Sequence, residues 1–302
     1  MNTLECKGIV KKFGSNEVLH GVDVTLEKGK IYGLIGRNGA GKTTLLSIAS
    51  GQNPATAGEI TINEGGDDIA TATSVMKVWD NQDALDKICF SRELNITAGN
   101  TGIGGLKVKD YLKAARTYFP GYDKAIEERL IKEFELDVKK RLAKLSKGML
   151  SMVTIIVALA SKAPYTFFDE PVAGLDVVAR ETFYKIALEE FSESGRTFVI
   201  STHIIEEAAD IFEEVLFLDK GKIILKENTQ ELVERVVHVS GKEEDVDAIC
   251  EGRQVYHVEK IGRSKAAAVM LEPGEELKNT ADITVQPMNL QQIFVAMCGK
   301  EA

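Results

Sequence analysis

The chain has 302 residues, 44% of them hydrophobic and 27% charged, with a formal net charge of −9. These proportions are those of a water-soluble globular protein of one large domain or two smaller ones, and they exclude collagen-like, coiled-coil and disordered classes. The longest mostly apolar run, Met152 to Ala160, is nine residues against the roughly 20 that a membrane-crossing helix needs, so the chain is not expected to cross a bilayer alone.

At the N-terminus, Met1 to Gly8 lacks a basic stretch followed by an apolar core, so residence in the cytosol is expected. The first 28 residues carry alternating segments, LECKGIV and EVLHGVDVTLE, joined by FGSN, which predicts an antiparallel, hairpin-like piece. Residues 30–35 (KIYGLI) form a short apolar run, GRNGAG punctuates, and KTTLLSIAS continues at helical spacing, so strand, glycine loop and helix follow one another. Further apolar runs at 87–91, 165–169, 197–201 and 215–218 read as strands buried on both faces, with crossover helices between them. Helical spacing recurs at 108–119, 123–136 and 147–161, which predicts a mostly helical subdomain over about 95–160.

After Leu225 short β-prone runs (VVHVSG, AAAVML, ITVQP) alternate with charged loops, and acidic residues outnumber basic ones 14 to 8 in 227–302 against 32 to 29 in 1–226. We therefore expect a first domain at 1–226 and a small α+β extension at 227–302. The extension reads as a regulatory domain, a second dimer contact or a cap over the sheet edge. The expected fold class is α/β, a mainly parallel sheet with helices, preceded by an antiparallel β piece. The acidic balance and the lack of a run of basic residues argue against nucleic acid as a partner. Cys6, Cys89, Cys250 and Cys298 are scattered, without a CxxC pair, so neither a disulfide framework nor a zinc site is indicated.

The stretch Gly36, Arg37, Asn38, Gly39, Ala40, Gly41, Lys42, Thr43 fits GxxxxGK[ST], with Thr44 next in the helix. Glycines let backbone N–H groups converge on a polyphosphate, and the helix presents its positive end. Lys42 is placed to reach the outer phosphates, and the Thr43 hydroxyl to enter a Mg²⁺ shell. Asp169 and Glu170 close the run YTFFDE, at the carboxyl end of a buried strand where ligands meet an open α/β sheet. Asp169 suits Mg²⁺, and Glu170 suits activation of a water aimed at the γ-phosphate. His203 ends the next strand in the same place; a histidine there is either a satisfied structural residue or a group that contacts the γ-phosphate and orients the water. Ser146 reads as the N-cap of the helix from Lys147, which would offer its N-terminus to an anion.

Taken in order, Gly36–Thr43, Leu145–Met149, Tyr165–Glu170, the stretch from Ala173 to Asp176 and Ser201–His203 resemble the ATP-binding cassette (ABC) ATPases over about residues 1–226. The resemblance implies a P-loop NTPase fold and a head-to-tail dimer, of two copies or with a sister ATPase. Each ATP is then sandwiched between the phosphate loop of one subunit and the signature helix, Ser146, Lys147 and Gly148, of the other. It implies that Phe13 stacks on adenine, although a core aromatic of the hairpin is the other reading, and that Asp176 belongs to the loop crossing the dimer interface. Three positions depart from the family pattern: LSGGQ is written here as LSKGM, with Lys147 for glycine and Met149 for glutamine, and Glu93 stands where a glutamine is usual, bringing a carboxylate near the metal. Texture in the helical insertion and in the tail resembles bacterial export-type subunits. The implied function is ATP hydrolysis energising export through separate transmembrane permease subunits, at the inner face of the membrane. A soluble, nucleotide-gated clamp on nucleic acid, ribosome or a regulator is the alternative.

Overall fold

The computed structural model describes residues 2–65, 74–94, 96 and 102–299; the start of the expected helical subdomain, at 95 and 97–101, lies outside them. Alternating apolar residues build the N-terminal β piece. β1 (Thr3–Phe13) and β2 (Asn16–Glu27) pair antiparallel and bury Leu4, Ile9, Leu19 and Val22. β3 (Ile31–Ile35) is buried at every position and runs through the glycine loop into α1 (Lys42–Ala49). The chain then returns to the first sheet with β4 (Ala57–Glu64) and β5 (Ser74–Lys77), giving the order β2-β1-β4-β5.

After the short helix α2 (Gln82–Leu85) comes β6 (Ile88–Ser91). Amphipathic helices follow, α3 (Val108–Tyr118) and α4 (Lys124–Glu133). Arg116 of α3 binds Glu127 of α4, whose side chain is 1% exposed, and Tyr122 donates to the same carboxylate at 2.8 Å. The apolar helix α5 (Lys147–Ala160) is buried along most of its length and packs on α4.

β7 (Tyr165–Asp169), α6 (Val177–Ser194), β8 (Thr197–Thr202), the short α7 (Ile205–Ala208), β9 (Glu214–Asp219) and β10 (Lys222–Asn228) complete the second layer. Its order is β10-β9-β3-β8-β7-β6, parallel except where β10 meets β9. Phe168 packs edge-on against Phe183 and Phe198 in its core. Burial pushes the Cys6 and Cys89 thiols up to about 12, which keeps both protonated.

The tail builds its own sheet. α8 (Thr229–Arg235) leads to β11 (Val236–Lys242), α9 (Glu243–Cys250), β12 (Gln254–Ile261), β13 (Ser264–Met270) and β14 (Ile283–Pro287). These strands pair antiparallel in the order β12-β13-β11-β14. Val239, Val246, Ala267, Val269 and Ile283 form a core between this sheet and α9. The last helix, α10 (Leu290–Cys298), opens with a capping box of Asn289 and Gln292 and sets Phe294 edge-on against Phe217 of β9 at 5.3 Å. Among the described residues, the tail adds no strand to the main sheet: β10 remains the edge, and the tail packs on the first unit through α10 and α8, where Thr229 N donates to the Glu213 carbonyl at 3.0 Å. That differs from a cap over the sheet edge.

Candidate active site

The parallel strands place their carboxyl ends together, and there the glycine loop meets the two acids. Gly39 and Gly41 take φ of +84° and +109°, conformations that side chains with a Cβ rarely adopt. Gly36 lies so close to β9 that a Cβ would come within 2.5 Å of the Leu218 carbonyl. The loop can therefore wrap without side chains in the way. Arg37, Asn38, Gly39, Gly41, Lys42, Thr43 and Thr44 line one side of a cavity of about 380 Å³, with Val18 of β2 and Glu170 opposite. Ala40 is buried behind the loop, where its carbonyl accepts from Gly221 N.

Lys42 is 6% exposed and donates to the Gly36 carbonyl at 2.7 Å, with the Glu170 carboxylate 3.3 Å away. Thr43 Oγ1 donates to Asp169 Oδ2 at 2.7 Å, and Ser201 Oγ donates to the other oxygen, Asp169 Oδ1, at 2.6 Å. Beside them His203 Nδ1 lies 2.6 Å from Glu170 Oε2. Glu170 is held with φ of +49°, a left-handed backbone that costs a non-glycine residue about 1–3 kcal/mol and recurs at functional sites. Its N–H donates to Ser201, to the carbonyl at 3.1 Å and Oγ at 3.0 Å. Ser201 thus holds both acids in place. It sits opposite Asp169 in the β7/β8 register, a relationship that chain order alone does not reveal.

Glu93 lines a neighbouring cavity with Thr43, Asp169, Glu170 and His203, but its carboxylate is paired with Lys147 Nζ at 3.1 Å. Thr43 and Asp169 are brought together, then, while Glu93 is turned to the signature helix. Among the described residues no three His, Cys, Asp or Glu converge as a metal cluster. A hydroxyl and a carboxylate in contact are nevertheless hard oxygen donors of the kind Mg²⁺ takes when phosphates and water complete its shell.

The remaining site residues lie outside this cluster. Ser146 caps α5, accepting from Met149 N at 3.2 Å, and is exposed. Gly148 packs against the loop before α6: a Cβ there would meet the Gly174 carbonyl at 2.4 Å. Asp176 caps α6, accepting from Ala179 N at 2.9 Å, and the next two residues, Val177 and Val178, are exposed. Phe13, at the tip of the β1/β2 hairpin, is 52% exposed with Lys11 Nζ 5.0 Å from its ring centroid. It is a surface aromatic and not part of the hairpin core.

Residues 19–173 match the family model described as ABC transporter. The lantibiotic transport ATP-binding protein SrtF of Streptococcus pyogenes is 30% identical over 76% of this chain and 95% of its own length. The Nod factor export ATP-binding protein I of a Rhizobium species is 25% identical over 99% of this chain and 97% of its own. Among solved structures, a dimeric post-hydrolysis ATP-binding cassette bound to ADP and Pi is similar over 75% of this chain and 98% of that one, with a TM-score of 0.61 and 24% identity.

Proposed function

Because this chain belongs to the ATP-binding proteins of the ABC transporter family, we propose that its ATP hydrolysis energises export through separate membrane-spanning permease subunits. No helix among the described residues is long and apolar enough to cross a membrane, and in this reading the path for the cargo comes from partner chains. The whole-length likeness to a Nod factor export protein supports the outward direction.

The observation that carries the mechanism is the meeting of Thr43, Asp169, Glu170 and His203 beside the glycine loop. In this reading loop N–H groups and Lys42 hold the β- and γ-phosphates, Lys42 exchanging its Gly36 carbonyl for phosphate oxygen. Thr43 and Asp169 would hold Mg²⁺, which supplies neutralisation of the phosphate charge. Glu170 takes a proton from the attacking water, and His203 keeps that carboxylate aimed through the 2.6 Å contact.

The site is half of a sandwich. The exposed Ser146 end of α5 offers N–H groups to an anion held by a second copy or a sister chain, and the similar solved cassette bound to ADP and Pi is a dimer. ATP between the two subunits would close the dimer, and loss of the γ-phosphate would release it. In this reading the exposed Phe13 at the hairpin tip would stack on adenine, and Asp176, the cap of α6, would belong to the loop at the dimer seam. The chain would work at the inner face of the membrane through its permease.

Purification from detergent-solubilised membranes tests the reading. The expected result is a stoichiometric partner carrying apolar segments of roughly 20 residues, whose presence raises the ATPase rate. Recovery only with nucleic acid or ribosomes would overturn it.

A further inference from the structure

Away from the ATP site, the tail sheet and α10 flank a half-open cavity of about 380 Å³, within the range that small-molecule sites occupy. Two of the chain's four histidines line it, His238 and His257. Both flank the same residue, for Ala268 of β13 pairs with His238 of β11 on one side and with His257 of β12 on the other. A methyl-sized floor therefore lies between two imidazoles whose strands are roughly 10 Å apart.

The two rings present different faces to the cavity. His238 Nδ1 is sealed from solvent and has no hydrogen-bond partner. An unmatched lone pair is easier to bury than an unmatched N–H, so the proton belongs on Nε2, which makes that nitrogen a donor. His257 Nε2 lies 2.9 Å from Glu259 Oε1 and donates to it, leaving Nδ1 as an acceptor. One donor and one acceptor thus stand on either side of Ala268. The remaining wall combines Pro287, Met288, Val295 and Ala296 with the neutral amides of Gln286, Gln291 and Gln292, of which Gln291 and Gln292 are already bonded to Glu206 and to the Asn289 N–H. Among the described residues no lysine or arginine lines the cavity, and its one carboxylate, Glu259, is already engaged. A charged ligand would therefore find no free countercharge in the lining.

We propose that this cavity binds a small, uncharged, apolar molecule bearing a peptide-type amide, whose carbonyl accepts from His238 and whose N–H donates to His257. The wall that closes it is anchored: Gln291 of α10 donates to Glu206 of α7 at 3.3 Å, and Phe294 packs on Phe217. The inference goes beyond the transport reading and does not depend on it.

Calorimetry of the full chain without nucleotide, titrated with N-acetyl-leucyl-leucinamide, tests it directly. Saturable binding at millimolar concentration or below is expected, with uncapped leucyl-leucine, a zwitterion, binding at least tenfold more weakly. Ala266→Phe, which fills the cavity from β13, should abolish binding. His238→Phe, which keeps the ring and removes the donor, should weaken it about tenfold, the value of one hydrogen bond. Thermal unfolding of the full chain and circular dichroism unchanged from the parent check that both variants are folded. Absence of saturable heat with the capped peptide, or equal affinity in the parent and in either variant, would overturn the proposal.

Discussion

Glu93 and Lys147 pair at 3.1 Å, and each stands where the ABC pattern writes something else, glutamine at the first and glycine at the second. These two of the three departures thus meet in space although 54 positions separate them in the chain. The acid gives the strand-end loop a handle on the first turn of the signature helix, and the lysine keeps that acid from facing Asp169 unpaired. Lys147→Gly alone, or Glu93→Gln alone, is expected to change the ATPase rate more than the double substitution does. Both side chains are more than half exposed, so the coupling should be about 0.2–1 kcal/mol and should fade in high salt. Strictly additive effects in a double-mutant cycle would show that the pair is incidental.

Glu170→Gln removes the proton acceptor while keeping the shape of the side chain. Turnover should fall by about 10²–10⁴-fold, while ATP affinity is kept and ATP-bound dimers accumulate. His203→Ala, which frees the Glu170 carboxylate from its 2.6 Å partner, is expected to lower kcat with little change in KM. Lys42→Ala differs in kind, because it removes a phosphate ligand and should weaken nucleotide binding itself. Single-turnover rates and equilibrium nucleotide binding, measured side by side, separate the three. Unchanged turnover in Glu170→Gln would refute its role as base.

Much of the ATPase core is legible in the sequence because its strands are buried on both faces. YTFFD and TFVIS are continuous apolar runs, and β7 and β8 appear at those positions. β10 is harder to see, since its residues alternate between exposed and half-buried, and β12 is interrupted by a register shift between Val255 and His257. The glycine loop announces itself through spacing. Ser201 does not, because its work depends on lying opposite Asp169 across two strands, and only pairing reveals that. The tail's β-prone runs are visible as strands, but the seating of α10 depends on Phe294 meeting Phe217, a contact between the tail and the main sheet.

Gly148 offers a test of how the signature helix is seated. A methyl group there would come 2.4 Å from the Gly174 carbonyl oxygen, and both partners are backbone, so one segment must move. Gly148→Ala is therefore expected to destabilise the fold by about 1–3 kcal/mol and to shift the start of α5. Thermal unfolding reads the first effect, and nucleotide-dependent dimerisation reads the second. Lys147→Ala, one position earlier on an exposed face, should leave stability within about 0.5 kcal/mol.

Glu214 ties the sheets together electrostatically. It binds Lys30 at the start of β3 and lies 3.3 Å from Lys226 of β10, and Lys30 also reaches Glu27 of β2 at 2.7 Å. Burial alone would raise the Glu214 carboxyl, but the two ammonium groups outweigh it and hold it below the usual carboxylate range. A carboxyl whose folded value is depressed stabilises the protein above its unfolded value, near 4.5, and loses that contribution as pH falls through the folded value. At neutral pH Glu214→Gln should cost about 1–2 kcal/mol, the charge-assisted hydrogen bonds being only partly replaced by the amide. The gap between parent and variant should narrow steadily below about pH 4.5, as denaturant titrations across that range would record. A gap that stayed constant down to the acid transition would mean that packing, and not charge, is what Glu214 supplies.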